Sequence, residues 1–342
     1  MVRFNIIISL ILTSIIYSQT HPNNEIDSLL KSGINQIILQ DYNTAEKTFT
    51  ILEKKFPKLP LGNIYLAAVK IAKAVDYEEE LPGDYVDSLL VIAENKSENL
   101  LENNNDNLWY NYYYSLIYGY KAYYNSIIGN IISAFADGVM SLRSYQKCLE
   151  IDKDFYESYI ALGTYQYWKS AQSKSLLWIP FVSDNRSEGI SNLEKAIKHT
   201  SYNKHLAAYS LVWIYIDYGE SKKAIDLSLK MLEDYENSRY FKWGLARAYQ
   251  DVNKAKAITT YYELLKSIES IPNQNQYNEI VLRHKIAMLY DEIGEYDKSL
   301  KLCNEILDFN IKSDKIKERL KVRINRTIEL KENLLEKMNY SN

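Results

Sequence analysis

Tyr215, Gly219, Ala224 and Met231 recur at the same steps of four, five and seven residues as Tyr290, Gly294, Ser299 and Ile306. A slightly shortened copy, Tyr249, Ala257 and Leu264, lies between them, and Gln36, Gln40, Ala45 and Leu52 keep the steps near the N-terminus. The tyrosines are 34 and then 41 residues apart. A period of this size built from helical spacings is the signature of stacked helix hairpins, none of which can bury its apolar face alone. The chain is therefore expected to fold as an all-α helix-hairpin solenoid with an irregular aromatic centre and a C-terminal capping helix.

Composition agrees where it can discriminate. With 11 glycines and 6 prolines in 342 residues there are too few turn formers for a β-sandwich, whereas Leu, Glu, Lys, Ala and Ile favour helix. A net charge of -3 gives no global pull toward nucleic acid. The 31 tyrosines admit two readings, an aromatic binding surface or the codon bias of an AT-rich genome, so an aromatic is informative only by position.

Residues 1–18 combine Arg3 with the apolar run 4–17 and read as a cleaved export signal, implying a periplasmic or extracellular and in some cases envelope-associated protein. An uncleaved anchor is the alternative, although the stretch is short for a span of about 20 residues. Cys148 and Cys303 are far apart in sequence and read as two buried thiols rather than a disulfide or metal site.

The solenoid is expected over 24–338, with hairpins at 26–59, 62–103, 107–149, 154–199, 203–236, 239–269 and 279–308, and the cap at 314–338. Asn43 is the expected cap of the second helix, and Asp154 the expected start of the helix after the central block. That block carries Trp109, Tyr110, Tyr112, Tyr113, Tyr114, Tyr118, Tyr120, Tyr123 and Tyr124. Asn111, Lys121, Asn125, Asn130 and Asp137 interrupt every window long enough to cross a bilayer, so buried helices are expected rather than a membrane span. An apolar insertion at 173–185, including Trp178 and Phe181, breaks the fourth hairpin and must pack on something.

At Gly33, Gly163, Ala246 and Ala287 in first helices, and Ala45, Gly189, Ala224 and Ala257 in second helices, the chain resembles the tetratricopeptide repeat family. Small residues there let helix axes approach to about 8–10 Å. The order of the central block, residues 163–168, 178–181 and 187–190, resembles exported bacterial tetratricopeptide proteins. It is more faintly similar to eukaryotic ones linked to inclusion-body clearance and lipid metabolism. Neither likeness implies catalysis. The family's Lys and Asn clamp for a C-terminal carboxylate is absent, since Leu30 and Ile34 stand in those places.

The resemblance implies a concave partner-binding face made by first helices, here Tyr167, Trp168, Tyr209, Trp213, Tyr240, Trp243, Arg247, His284 and Met288, flanked by Leu206 and Ile216. Aromatics and Arg commonly anchor interfaces. The competing reading makes Trp213 and Trp243 simple filling between hairpins. Asp217, Asp251 and Glu292 each follow a repeat tyrosine by two residues, where a carboxylate opposes the helix dipole. Pairing with a basic side chain of the adjoining repeat explains them more simply than a cationic guest. A basic run, Lys312, Lys315, Lys317, Arg319, Lys321, Arg323 and Arg326, is either a solvated cap or a contact for an anionic membrane or acidic partner.

No GxSxG, phosphate-cradling glycine loop or CxxC occurs, and the four histidines show no metal-ligand spacing. Neither catalytic residues, nor a metal site, nor a cofactor is expected. The expected role is a non-enzymatic protein- or peptide-binding scaffold or assembly factor of the cell envelope. The alternative is a binder of an apolar small molecule or lipid in the aromatic central region.

Overall fold

The computed structural model describes residues 20–172, 183–199 and 202–340. The leader at 1–18 and the apolar residues 176–181 lie outside the described residues. Within them the chain forms fifteen α-helices and no strand. Seven hairpins follow one another: α1 (Asn24–Ile38) with α2 (Tyr42–Lys55), α3 (Leu61–Tyr77) with α4 (Gly83–Asn103), and α5 (Leu108–Ile127) with α6 (Ile131–Ile151). Then come α7 (Glu157–Gln172) with α8 (Arg186–His199), α9 (Lys204–Tyr218) with α10 (Ser221–Asp234), α11 (Arg239–Val252) with α12 (Lys254–Glu269), and α13 (Tyr277–Glu292) with α14 (Tyr296–Leu307). A long helix, α15 (Asp314–Tyr340), closes the stack. Each helix packs on its neighbour in sequence, and first helices also meet the next first helix, α3 with α5, α7 with α9 and α9 with α11.

Local chemistry sets the boundaries. Asn23 caps α1, its Oδ1 accepting from the amides of Glu25 at 3.0 Å and Ile26 at 3.2 Å. Ile26, Leu30, Ile34 and Ile38 then repeat every fourth residue and are buried. Two expected boundaries move. The cap of α2 is Asp41, which accepts from Thr44 N at 3.2 Å, because the turn is two residues tighter than an Asn43 cap requires. Residues 152–156 form a turn, with Phe155 N donating to Asp152 O at 3.1 Å, so α7 begins at Glu157 rather than Asp154.

The repeated Tyr-to-Gly step is a helix stop. Glu220 N donates to Tyr215 O at 2.7 Å and Glu295 N to Tyr290 O at 2.9 Å, a bond spanning five residues that needs a left-handed residue one place earlier. Gly219 at φ +85 and Gly294 at φ +80 supply it. Gln40 adopts the same conformation, φ 58, and Asp41 N reaches Gln36 O at 2.9 Å. In the shortened copy Asn253 is extended, ends α11 and caps α12 through Lys256 N at 3.0 Å, which removes one residue from the turn.

The central helices α5 and α6 are buried at the base and bare at the tip. Tyr112, Tyr113, Ile117 and Phe155 are almost inaccessible, each contributing about 1.5–3 kcal/mol by burial. Among the described residues no helix is long and apolar enough to cross a membrane.

The stack winds tightly enough for its turns to touch. Gln40 meets Ser238, Tyr42 meets Tyr240, and Asn275 holds the carbonyl of Tyr77, each pair 198 residues apart. The end of a first helix thus abuts the start of the first helix five hairpins later: α1 against α11, and α3 against α13. His21 and Asp27 likewise meet Tyr202, just before α9, through 2.6 Å bonds.

Candidate functional site

The residues expected on the concave face divide into two environments. Tyr209, Trp213 and Tyr240 form one chain of rings, with centroids 6.3 Å and 5.9 Å apart. Tyr240 is committed to the contact between turns: its hydroxyl lies 3.0 Å from that of Tyr42, which donates to Asp76 at 2.9 Å. Beside it Arg239 grips Asp76 with Nε on Oδ1 at 2.8 Å and Nη2 on Oδ2, both side chains nearly inaccessible. Burial raises the phenol pKa of Tyr42, Tyr209 and Tyr240, and Asp76 adds to the effect at Tyr42 and Tyr240.

Trp243, Arg247, His284 and Met288 lie toward the C-terminal end. Trp243 sets its ring edge-on to Tyr261 at 6.0 Å, and Arg247 donates to Asp251 at 2.9 Å on its own helix. His284 is buried beneath α15, where Arg323 Nη1 lies 3.1 Å from its Nδ1. Burial, then Arg323, Lys285 and Arg326, push the His284 pKa down to about 4, so the imidazole is neutral and accepts through Nδ1. Met288, one turn on, is 45% exposed. Tyr167 and Trp168 sit elsewhere: Tyr167 is fully buried, donates to Asp217 at 2.7 Å, and packs on Trp168 and on Tyr218 at the far end of α9.

The three acidic recurrences have internal partners. Asp217 takes the Tyr167 hydroxyl, Asp251 takes Ser221 Oγ at 2.6 Å and Arg247, and Glu292 pairs with Lys254 of the preceding hairpin at 2.9 Å. Much of the basic run is also used. Lys315 reaches Glu80 at 2.7 Å, while Arg319 pairs with Glu78 and lies 4.2 Å from the Tyr277 ring centre, fastening α15 to the end of α3.

Three features escape a reading of local spacing. Lys285 stands beside Arg247 and Arg323, and burial followed by those two cations lowers its pKa. Tyr123 on α5 is 47% exposed, and partial burial followed by the influence of Tyr209 raises its phenol pKa. At the tip of α5 and α6, Ile128, Ile131, Ile132 and Phe135 are 52%, 65%, 86% and 73% exposed, a bare apolar ridge. Only the ridge had a local signal, an uncharged stretch from 125 to 136.

Cys148 and Cys303 are buried free thiols. Among the described residues no group of three or more His, Cys, Asp or Glu side chains is placed to hold a metal ion.

No protein-family model and no curated protein matches the chain. Solved structures do. The type IV pilus biogenesis factor PilW is 16% identical, with 75% of this chain and 98% of PilW covered and a TM-score of 0.47. The C-terminal part of a TPR repeat-containing protein from Cytophaga hutchinsonii is 20% identical, covering 86% of this chain and 98% of its own length, at 0.41. YrrB, described as a TPR protein with an unusual peptide-binding site, is 14% identical over 66% of this chain and 97% of its own, at 0.43. Likeness at this level carries no argument about function. The hairpins, the small residues between them and the left-handed helix stops identify the chain by its own geometry as an all-α solenoid of tetratricopeptide-like repeats.

Proposed function

We propose that this chain is a non-enzymatic scaffold that binds a protein or peptide segment on the inner face of its C-terminal half. One observation carries the reading. Internal bonds occupy Tyr42, Asp76, Arg239 and Tyr240, yet Trp213, and Trp243, Arg247 and Met288 toward the C-terminal end, keep solvent-reachable surface. Aromatic, Arg and Met side chains at the edge of a rigid repeat are suited to anchoring a partner. The test is to replace Trp213 and Arg247 by Ala together and compare the proteins that co-purify; an unchanged set removes the assignment. Export and envelope residence rest on the sequence of residues 1–18, and are tested by cell fractionation and the mass of the mature N-terminus.

A second reading, a binder of lipid or another apolar molecule in the central region, is favoured by the ridge at Ile128, Ile131, Ile132 and Phe135. Replacing Ile132 and Phe135 by Ser would abolish co-sedimentation with lipid vesicles on this reading. If the unmodified chain does not sediment with vesicles, the reading fails.

A further inference from the structure

Among the described residues, most cations that are buried or partly buried pair with a carboxylate, and Lys285 and Arg323 on the inner face do not. Among the described residues, Lys285, Arg323 and Arg326 enter no ion pair, and Arg247 has only Asp251 of its own helix. These cations come from three elements, Arg247 from α11, Lys285 from α13, and Arg323 and Arg326 from α15. Arg323 reaches His284, the residue before Lys285, at 3.1 Å, and burial followed by Arg323 and Arg247 lowers the Lys285 pKa. Arg323 directs a guanidinium N–H at a neutral imidazole, and the Lys285 ammonium lies 5.8 Å from the ring centre of Tyr261.

The floor of the group is unfinished as well. Tyr261 is fully buried, its ring lies against Trp243, and its hydroxyl has no hydrogen-bond partner. A buried donor without an acceptor, and like charges gathered without a counter-charge, both oppose folding unless something else uses them. An anion satisfies the second deficit directly.

We propose that the inner face receives an acidic peptide segment, whose carboxylates are held by Arg247, Lys285 and Arg323 while its apolar side chains lie on Trp213, Trp243 and Met288. This rests on the scaffold reading above and gives its partner a chemical class. The recessed position favours a narrow peptide over a bilayer, because Lys285 and Arg323 are partly buried between helices and a flat surface does not reach them. The net charge of -3 works against a long polyanion such as RNA, whose binding needs an extended basic surface.

The experiment uses the full chain and a fluorescein-labelled octaglutamate peptide, followed by anisotropy, with octaglutamine and octalysine as controls. Saturable binding is expected for octaglutamate alone, weakened at least tenfold between 50 and 300 mM salt, since exposed ion contacts are screened (about 10 Å at 0.1 M). Lys285→Glu and Arg323→Glu should each weaken it at least tenfold, whereas Lys230→Glu, at an exposed position away from the group, should not. If a reversal variant unfolds by circular dichroism, the neutral pair Lys285→Gln with Arg323→Gln replaces it. Absence of octaglutamate binding, or binding indifferent to those substitutions, overturns the proposal. Tighter binding to phosphatidylglycerol vesicles or to an RNA oligomer, lost in the neutral pair, also overturns it. Should octaglutamate fail while the Trp213 and Arg247 double variant still loses co-purifying proteins, the scaffold reading stands and only the acidic class falls.

Discussion

Gly163 and Gly189 each occupy space that the other's backbone needs. A methyl group on Gly163 would lie 2.7 Å from Gly189 O, and one on Gly189 2.6 Å from Gly163 O, so α7 and α8 touch through their main chains. Gly219 is constrained differently: a methyl group there meets nothing within 4 Å, but φ is +85. Gly163→Ala should therefore cost roughly 2–3 kcal/mol through forced separation of the helices, and Gly219→Ala only about 1–2 kcal/mol through backbone strain. Denaturant unfolding of both variants checks the order; equal losses would show that α7 and α8 can separate freely. His284 offers a test by pH. Its pKa is 6.5 when free and about 4 in the fold, so between these values the unfolded chain holds a proton that the folded chain lacks. Stability therefore rises with pH across that window, is fully present above 6.5, and gains at most about 3 kcal/mol from this group. His284→Gln should flatten the profile between pH 4.5 and 7.5, and an unchanged slope would show that burial and the neighbouring Arg323, Lys285 and Arg326 do not hold the imidazole neutral.

At the scale of single elements, the last helix is both cap and clamp. Ile316, Leu320 and Leu334 of α15 are buried, and Cys303 beneath it is inaccessible, its thiol pKa pushed up to about 11, chiefly by burial. A chain ending at Ser313 loses that cover. Cys303 should then react with a thiol reagent at least tenfold faster at pH 8, while Cys148, buried at the base of α6 with its thiol pKa pushed up to about 12, stays slow. Uniform acceleration of both cysteines would mean global unfolding instead. Elements of this kind were legible in the sequence because their signals are local. The Tyr-to-Gly step encodes a helix stop, and Gly163, Ala224 and Ala257 mark close approaches, all within one hairpin. Caps were less legible: Asn43 and Asp41 are both good capping residues two positions apart, and only the tightness of the turn decides between them. The candidate site was partly legible. Trp213 and Arg247 follow from repeat register, whereas Lys285 looks like any solvated lysine until α15 brings Arg323 over it. Of the insertion at 173–185, residues 173–182 lie outside the described residues.

The whole molecule depends on contacts with no local signature, between residues 163 to 202 positions apart. Asp76 and Arg239 are the tightest of them, a two-pronged ion pair with side chains 4% and 9% exposed, flanked by Tyr42, Tyr77 and Tyr240. Some of the 31 tyrosines thus do positional work, their hydroxyls and ring faces lining the seam between turns. A buried ion pair is often replaceable by apolar groups, but removal of one partner leaves the other charge buried alone, at about 3–5 kcal/mol. Arg239→Met should impose such a loss without touching any hairpin's own core, so helix content should persist while the seam opens. A larger radius of gyration in small-angle scattering, with an unchanged far-ultraviolet circular dichroism spectrum, is the expected outcome. Asp76→Leu added to Arg239→Met removes the stranded carboxylate and should recover much of the stability. Were the single variant to remain as compact as the original chain, the contact between turns would be a consequence of repeat curvature and not its cause. Repeat geometry alone would then set the width of the inner face on which Trp213, Arg247 and Lys285 are displayed.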